Sequence, residues 1–251
     1  STAKSIKKRL GMADMVTGSN AFAHNDNPDI LIKAASFILK HEGHLCLEVM
    51  YAGDLLEMLQ WDTLYHEHLT FYCLKTITVL LNDYGFHVID AEHIPMHGGS
   101  LRIVATRDSK QKAQTSVSKL LKYESEKSLS DPETWINFGQ DIGRKIEVVR
   151  KTMSHLSKNN RIWGYGAAGK ATLWVNACQM DYLEAMVDAS PLRAGKLMPG
   201  THTPIVFPDE LKANPPDYIF VTAWNYADMI KSNEEWFNGI WVTPLPDLRF
   251  F

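Results

Sequence analysis

The sequence predicts an α/β protein built as two open-sheet units joined by helices. Three observations carry that expectation. Short, alternating, β-branched stretches recur with helix-period segments between them. A polar, highly charged stretch from Gln111 to Asn160 separates two such regions. A glycine-rich turn, Gly164-Tyr165-Gly166-Ala167-Ala168-Gly169-Lys170, stands between an apolar run and a helical one.

In chain order, alternation predicts strands at Asp14–Gly18, His44–Val49, His87–Glu92 and Leu101–Thr106. Between the first two, Ile30, Leu31, Ala34, Phe37 and Ile38 recur at helical spacing, so Pro28 to Lys40 reads as a helix ending near Gly43. Leu74 to Tyr84 repeats the pattern and stops at Gly85. Ile94–Gly99 holds a proline and two glycines and reads as a turn. The region is therefore the second half of an open α/β sheet closed by a hairpin. Gln111 to Asn160 reads as two helices split at Ser130–Pro132, with Ser130 and Glu133 at capping-box spacing. Arg161–Trp163, Leu183–Val187, Tyr218–Ala223 and Ile240–Val242 then supply strands of a βαβ nucleotide fold, with helices after the glycine turn and across Met229–Phe237. The domains expected are 1–108, a helical connector at 109–160, and 161–251.

Composition excludes several classes. The chain has 251 residues, 45% hydrophobic and 22% charged, with a net charge of −3. Nothing suggests disorder, and there is no basic excess of the kind nucleic-acid binding requires. No apolar run approaches the ~18 residues of a membrane helix. Cys46, Cys73 and Cys178 form no Cys-x-x-Cys pair, so neither a zinc knuckle nor a disulfide framework is indicated, and a reducing cytoplasm is the default. The chain opens on Ser1 and a basic amphipathic stretch to Leu10, which reads as a piece of a longer protein.

Three constellations carry chemistry. Gly164, Gly166 and Gly169 match G-x-G-x-x-G between a strand and a helix, with Lys170 adding positive charge and Asp188 closing the next strand 19 residues later. Such a turn receives a phosphate on helix N–H groups and a ribose on the carboxylate, or else is a structural βα turn. Tyr65-His66-Glu67-His68 is dense in titratable groups. It suits a base with an orienting neighbour; a polar helix start is the plainer alternative. His66 and His68 lack the i, i+4 spacing of a zinc-protease helix, so no metal is assigned. His97-Gly98-Gly99-Ser100-Leu101-Arg102 offers close backbone approach and a bidentate arginine, or a plain hairpin turn with an edge arginine.

Taken together, these strings resemble the sugar-nucleotide C-methyltransferases that act on 4-keto deoxysugars. The resemblance rests on Ser19-Asn20-Ala21-Phe22-Ala23-His24, Glu48, the run Asp62-Thr63-Leu64-Tyr65-His66-Glu67-His68, the string His97 to Arg102, the Gly164–Lys170 turn and Pro199-Gly200-Thr201. It implies the C-terminal half of an S-adenosylmethionine (SAM) methyltransferase Rossmann-like sheet followed by a second Rossmann-like domain. It implies SAM as cofactor, with its site incomplete in this chain. The family's N-terminal zinc module and the first half of the methyltransferase sheet have no counterpart here; before residue 50 the only glycines are Gly11, Gly18 and Gly43.

By the same resemblance His68 is the general base, Glu67 orients a neighbouring group, Tyr65 bonds the sugar oxygen and His24 is an active-site histidine. Asn20 and Glu48 border the methyl donor. His97, Gly98, Ser100, Arg102, Gly164, Gly166, Gly169, Lys170 and Asp188 contact a nucleoside-diphosphate sugar, with no nucleic-acid or membrane partner and an open oligomeric state. Two other readings compete. One is an NAD-dependent sugar-nucleotide oxidoreductase, which needs a hydride-handling pair and leaves the Tyr65–His68 run unexplained. The other is a non-catalytic sugar-nucleotide-binding remnant.

Overall fold

The structure is a computed structural model and describes residues 2–95 and 98–251. The chain divides into two compact units. Unit 1 comprises Ser1–Glu57 and His66–Ile136; unit 2 comprises Met58–Tyr65 and Asn137–Phe251.

Unit 1 opens with α1 (Thr2–Leu10), β1 (Ala13–Ser19) and α2 (Pro28–Ile38). Helix α2 starts where Asn27 accepts the Ile30 N–H and Pro28 takes the first turn, a standard N-terminal cap. β2 (Leu39–Met50) follows, then α3 (Ala52–Glu57), α4 (Leu74–Asn82), β3 (His87–Ile94), β4 (Ser100–Thr106) and α5 (Thr115–Glu126). The sheet order is β1-β2-β4-β3. β1 and β2 are parallel, and β4 enters between β2 and β3, antiparallel to both. That is the open α/β sheet closed by a hairpin that the sequence predicts.

Period two explains the burial along this sheet. Leu45, Leu47 and Val49 of β2, and Leu101, Ile103 and Ala105 of β4, face one core with Ile32, Leu74, Ile77 and Leu81 of the helices. Helix α4 has its N-terminus held by Glu124 of α5, whose carboxylate accepts the Leu74 N–H at 2.5 Å and the Lys75 N–H at 3.0 Å. A buried anion at a helix N-terminus satisfies two otherwise orphaned donors.

Unit 2 contains α6 (Pro132–Leu156) from Asn137 onward, then β5 (Ile162–Tyr165), α7 (Gly169–Ala177), β6 (Met186–Val187), β7 (Ile205–Val206), α8 (Pro208–Ala213), β8 (Tyr218–Val221), α9 (Ala227–Asn233), β9 (Ile240–Thr243) and β10 (Arg249–Phe250). The sheet order is β10-β9-β8-β5-β6-β7, parallel except for β10. From β5 the chain winds outward through β6 and β7, then returns to the other side of β5 for β8 and β9. The reversal lies between β5 and β8, and the crevice beyond the carboxyl ends of those strands is where such sheets hold ligands.

Several boundaries differ from expectation. Helix α2 stops at Ile38 and β2 begins at once, with a shift of register opposite Ala13–Met15; Gly43 lies in that stretch, where a Cβ would come within about 3 Å of Asp14 O, Leu39 Cδ2 and Lys40 O. Ser130 does not cap α6; Asp131 does, accepting the Glu133 N–H at 3.0 Å. The strand expected at Leu183–Val187 shortens to Met186–Val187.

Candidate functional site

In unit 1, the parallel strands β1 and β2 end at Ser19 and Met50, and side chains of the expected site gather beyond the carboxyl end of β1. Asn20 follows β1 with a φ of +49°, a left-handed conformation that asparagine tolerates. Its N–H donates to the Glu48 carbonyl at 2.9 Å, which ties it to β2. The following turn buries Phe22 and Ala23 and leaves His24 exposed. The Leu69 N–H donates to the Ala23 carbonyl at 3.0 Å, which brings the 66–69 segment alongside.

Two histidines meet there. The His24 and His68 ring centroids lie 5.0 Å apart, and His68 also packs edge-on against Phe71 at 6.1 Å. His24 Nδ1 is 2.7 Å from the Glu67 carbonyl oxygen. A carbonyl only accepts, so Nδ1 carries the proton and the Nε2 lone pair of a neutral His24 points elsewhere. Glu67 is exposed, and it orients His24 through its backbone carbonyl.

Glu48 is almost wholly committed to protein partners. Its Oε1 accepts from Ser19 Oγ at 3.1 Å and Asn20 Nδ2 at 3.4 Å, and its Oε2 accepts from Arg102 Nη2 at 3.0 Å. Arg102 sits opposite both Glu48 and Glu92 in strand register and bonds both carboxylates. Its guanidinium is thus a cross-strand clamp, so gripping a phosphate would mean giving up carboxylate partners.

In the hairpin, Gly98 and Gly99 have φ of +91° and +115°. A Cβ on Gly99 would come within 2.1 Å of Asp54 Cγ. That glycine therefore makes room for a protein side chain, and Asp54 is fixed in turn by His93 Nε2 at 2.7 Å. Burial pushes the Asp54 carboxyl up by more than the His93 ring draws it down. Ser100 is fully buried in β4. His97 lies outside the described residues.

In unit 2, the glycine turn lies between β5 and α7 as the spacing predicts. Its close neighbours are protein. A Cβ on Gly164 would meet the Met186 sulfur, one on Gly166 would press on Thr222 and Ala223, and one on Gly169 would stand 3.3 Å from the Tyr65 ring. Asp188 donates no free oxygen: Oδ2 accepts from the Ala167 N–H at 2.8 Å and Arg193 Nε at 2.9 Å, and Oδ1 from the Ser190 N–H at 2.8 Å and Arg193 Nη2 at 3.1 Å. Burial pushes this carboxyl up, but the Arg193 guanidinium and the two N–H groups outweigh it and hold it below the usual value. These bonds clasp the turn itself.

The sequence matches two known domain families. The model of the C-methyltransferase C-terminal domain matches residues 95–246, well over half the chain, and a methyltransferase-domain model matches residues 2–91. The chain belongs to the C-methyltransferase family. It is 29% identical over 251 residues to C-methyltransferase NovU of Streptomyces niveus, covering 97% of this chain and 60% of that protein, so it spans about three-fifths of that relative's length. A solved complex of the Haloferax volcanii Trm112 methyltransferase activator with a methyltransferase aligns at a TM-score of 0.34 and 17% identity, over 38% of this chain and 54% of that one, too low to bear on the fold.

Within this member of the family, sequence reasoning missed one group of residues. Asp62 is fully buried, and its Oδ2 accepts from Trp174 Nε1 at 3.1 Å and Trp224 Nε1 at 2.8 Å. Its Oδ1 lies 3.8 Å from Lys170 Nζ, which also sits 5.0 Å over the Trp224 ring. Burial pushes the Asp62 carboxyl up and the Lys170 ammonium down. The partners lie 108 to 162 residues away in sequence, beyond the reach of any local pattern. The one local signal was an aspartate directly after a tryptophan, in Trp61-Asp62-Thr63-Leu64.

The hydride-handling pair required by an oxidoreductase has one candidate by spacing, Tyr123 on α5 and Lys127 just past its end, in unit 1. Both are engaged by Glu57, which pairs with Lys127 and bonds Tyr123. The glycine turn belongs to unit 2. Among the described residues, no group of three or more His, Cys, Asp or Glu is placed to hold a metal ion, and no helix is long and apolar enough to cross a membrane.

Proposed function

We propose that this chain takes part in SAM-dependent methylation of a carbon next to the ketone of a 4-keto-deoxy sugar nucleotide, with residues 1–108 on the donor side, 109–160 as connector and 161–251 on the acceptor side. The observation that carries the reading is the His24–His68 pair beside Glu67, beyond the carboxyl end of β1.

The cofactor test rests on Asn20. Its Oδ1 is buried and has no hydrogen-bond partner among the described residues, because the amide donates to Glu48 through Nδ2. An apolar cavity of about 300 Å³ is lined by Gly18 and Ala21 on either side of Ser19–Asn20, with Val16, Phe22 and Leu47. A buried acceptor without a partner fits a ligand with a donor group, and the cavity, which α1 and α2 also line, fits an apolar part; SAM has both. Asn20 would hold the donor group, and Glu48 would keep Asn20 in place. When bound, SAM supplies an electrophilic methyl group on a sulfonium.

The chain's own residues handle the proton. The ketone acidifies the neighbouring carbon, and His68 removes that proton at a ring nitrogen. His24, fixed by the Glu67 carbonyl, lies against the His68 ring and holds that side of it. The Tyr65 hydroxyl bonds the sugar oxygen, and the His97–Arg102 hairpin, with Gly98 and Ser100, borders the acceptor.

Deuterium uptake at the α-carbon in D₂O tests proton removal apart from methyl transfer. With a thymidine-diphospho-4-keto-6-deoxy sugar, uptake is expected with this chain, and His68→Asn is expected to slow it by about 10²-fold or more. An unchanged rate in His68→Asn refutes the base assignment. Absence of both uptake and methyl transfer from labelled SAM, in this chain and in one extended upstream, refutes the reaction.

A further inference from the structure

The glycine turn of unit 2 has the features of an anion site, yet the groups around it point inward at this chain's own loop. The turn lies at the reversal point of the sheet, where Thr222 Oγ1, just past β8, donates to the Gly166 carbonyl at 2.6 Å. Lys170, the second residue of α7, has its ammonium buried there without a hydrogen bond. Facing it at 3.8 Å is Asp62 Oδ1, also buried and without a hydrogen bond. The other Asp62 oxygen is gripped from both sides of the crevice, by Trp174 of α7 and by Trp224 of the turn after β8.

The loop carrying Asp62 fills the rest of the space. Trp61 packs edge-on against Trp174 with ring centroids 4.6 Å apart. Tyr65 lies over Gly169 so closely that a Cβ there would be in tight contact. Residues 58–65 thus belong to unit 2 although the chain on both sides belongs to unit 1.

We infer that Asp62 is a positioning residue that docks the 58–65 loop as an internal ligand of the glycine turn, its carboxylate taking the place an external phosphate would take against Lys170. The chemistry is that of a buried carboxylate–ammonium pair with two indole donors, and a carboxylate competes for such a place with any small polyanion. The turn's role is then to seat the segment that runs on, through one peptide bond from Tyr65, into His66-Glu67-His68. The expected nucleotide contacts of Gly164, Gly166, Gly169 and Lys170 are accordingly given to the loop. This inference stands apart from the methyl-transfer reading, since its test uses no substrate, cofactor or turnover.

The test combines two readouts on the whole chain: hydrogen–deuterium exchange of peptides covering 58–65, and calorimetric titration with inorganic pyrophosphate. Wild type is expected to bind no pyrophosphate. Asp62→Ala is expected to speed exchange in 58–65 about tenfold or more beyond any change in β8 and β9, and to gain pyrophosphate binding. Asp62→Ala/Lys170→Met is expected to lose that binding again. A merely structural role would loosen the loop without creating an anion site.

Pyrophosphate binding to wild type with no acceleration of exchange in 58–65 overturns the inference, because the turn would then be open beside a docked loop. So does Asp62→Ala with unchanged exchange, or with a loosened loop and no anion binding. If Asp62→Ala raises exchange throughout unit 2, Asp62→Asn carries the test, since it keeps an acceptor for both indoles and removes only the charge. It is then expected to speed 58–65 more than β8 and β9 and to admit pyrophosphate, and failure of either overturns the inference.

Discussion

The Asp62–Lys170 pair is open to a double-mutant cycle whose outcome can be worked from the geometry. At 3.8 Å and an effective dielectric constant of about 20, two unit charges attract by roughly 4 kcal/mol. Asp62 is fully buried and the Lys170 side chain only 20% exposed, so solvent screens little of this. Burial also works against each charge separately, pushing the Asp62 carboxyl up and the Lys170 ammonium down. Removing one partner strands the other. Asp62→Asn leaves an uncompensated buried ammonium, and Lys170→Met leaves an uncompensated buried carboxylate held only by its indoles. Each is expected to destabilise unit 2 by about 3 kcal/mol, the low end for a broken buried pair, because the stranded group can neutralise itself. Asp62→Asn/Lys170→Met strands nothing, keeps both indole acceptors, and is expected within about 1 kcal/mol of wild type.

The assay is urea unfolding followed by tryptophan fluorescence. Trp61, Trp163, Trp174, Trp224, Trp236 and Trp241 lie in unit 2 and only Trp135 in unit 1, so the signal reports the right unit. With a slope of about 1–3 kcal/mol per molar urea, each single change should lower the midpoint by about 1–3 M, an easily resolved shift. Additive losses, with a coupling energy below about 0.5 kcal/mol, would refute the reasoning, for then the two charges would not be compensating each other.

Three further outcomes follow. Gly99→Ala is expected to destabilise unit 1 by about 2 kcal/mol or more in thermal unfolding, since its φ of +115° disfavours a side chain and the new Cβ would collide with Asp54. Glu124→Gln replaces a carboxylate accepting two α4 N–H groups by an amide with one oxygen, and is expected to lower stability by about 1–3 kcal/mol and to speed amide exchange at Leu74 and Lys75 first. For Asp188, whose folded carboxyl is held low, the stabilising contribution is present above the unfolded value of about 3.9 and is lost as pH falls through the lower folded value; Arg193→Ala should therefore move the acid-unfolding limb of unit 2 to higher pH, measured by circular dichroism.

Much of this fold was legible in local pattern. The alternation of β2 and β4 marks their buried faces, the helical spacing from Pro28 marks the start of α2, and the three glycines mark the β5–α7 turn, because each signal lies within a few residues of its consequence. The reasons behind the glycines were not legible. Gly164, Gly99 and Gly169 leave room for Met186, Asp54 and Tyr65, which a spacing rule written for phosphate contacts does not contain. Of the expected site, His24, Glu67 and His68 are brought together in unit 1, and Tyr65 lies on Gly169 in unit 2. Arg102 and Asp188 are expected as ligand contacts from motif and spacing, which do not contain their strand-register and clasp partners, Glu48, Glu92 and Arg193.

The division of the chain between Tyr65 and His66 gives this arrangement its consequence. Upstream of that peptide bond, Asp62 and Tyr65 are held by Lys170, Trp174, Trp224 and Gly169. Downstream of it, Glu67 and Leu69 are held by His24 and the Ala23 carbonyl. Two cores thus fix the two ends of a single heptapeptide, Asp62 to His68. A substitution in the indole socket of Asp62 is expected to register at His68 through this covalent segment. A shift of the His68 ring resonances in Trp224→Phe, with those of His155 and His202 in unit 2 unmoved, would demonstrate that transmission. His68 resonances that stay fixed while the loop exchanges faster would show that the peptide between them acts as a slack tether.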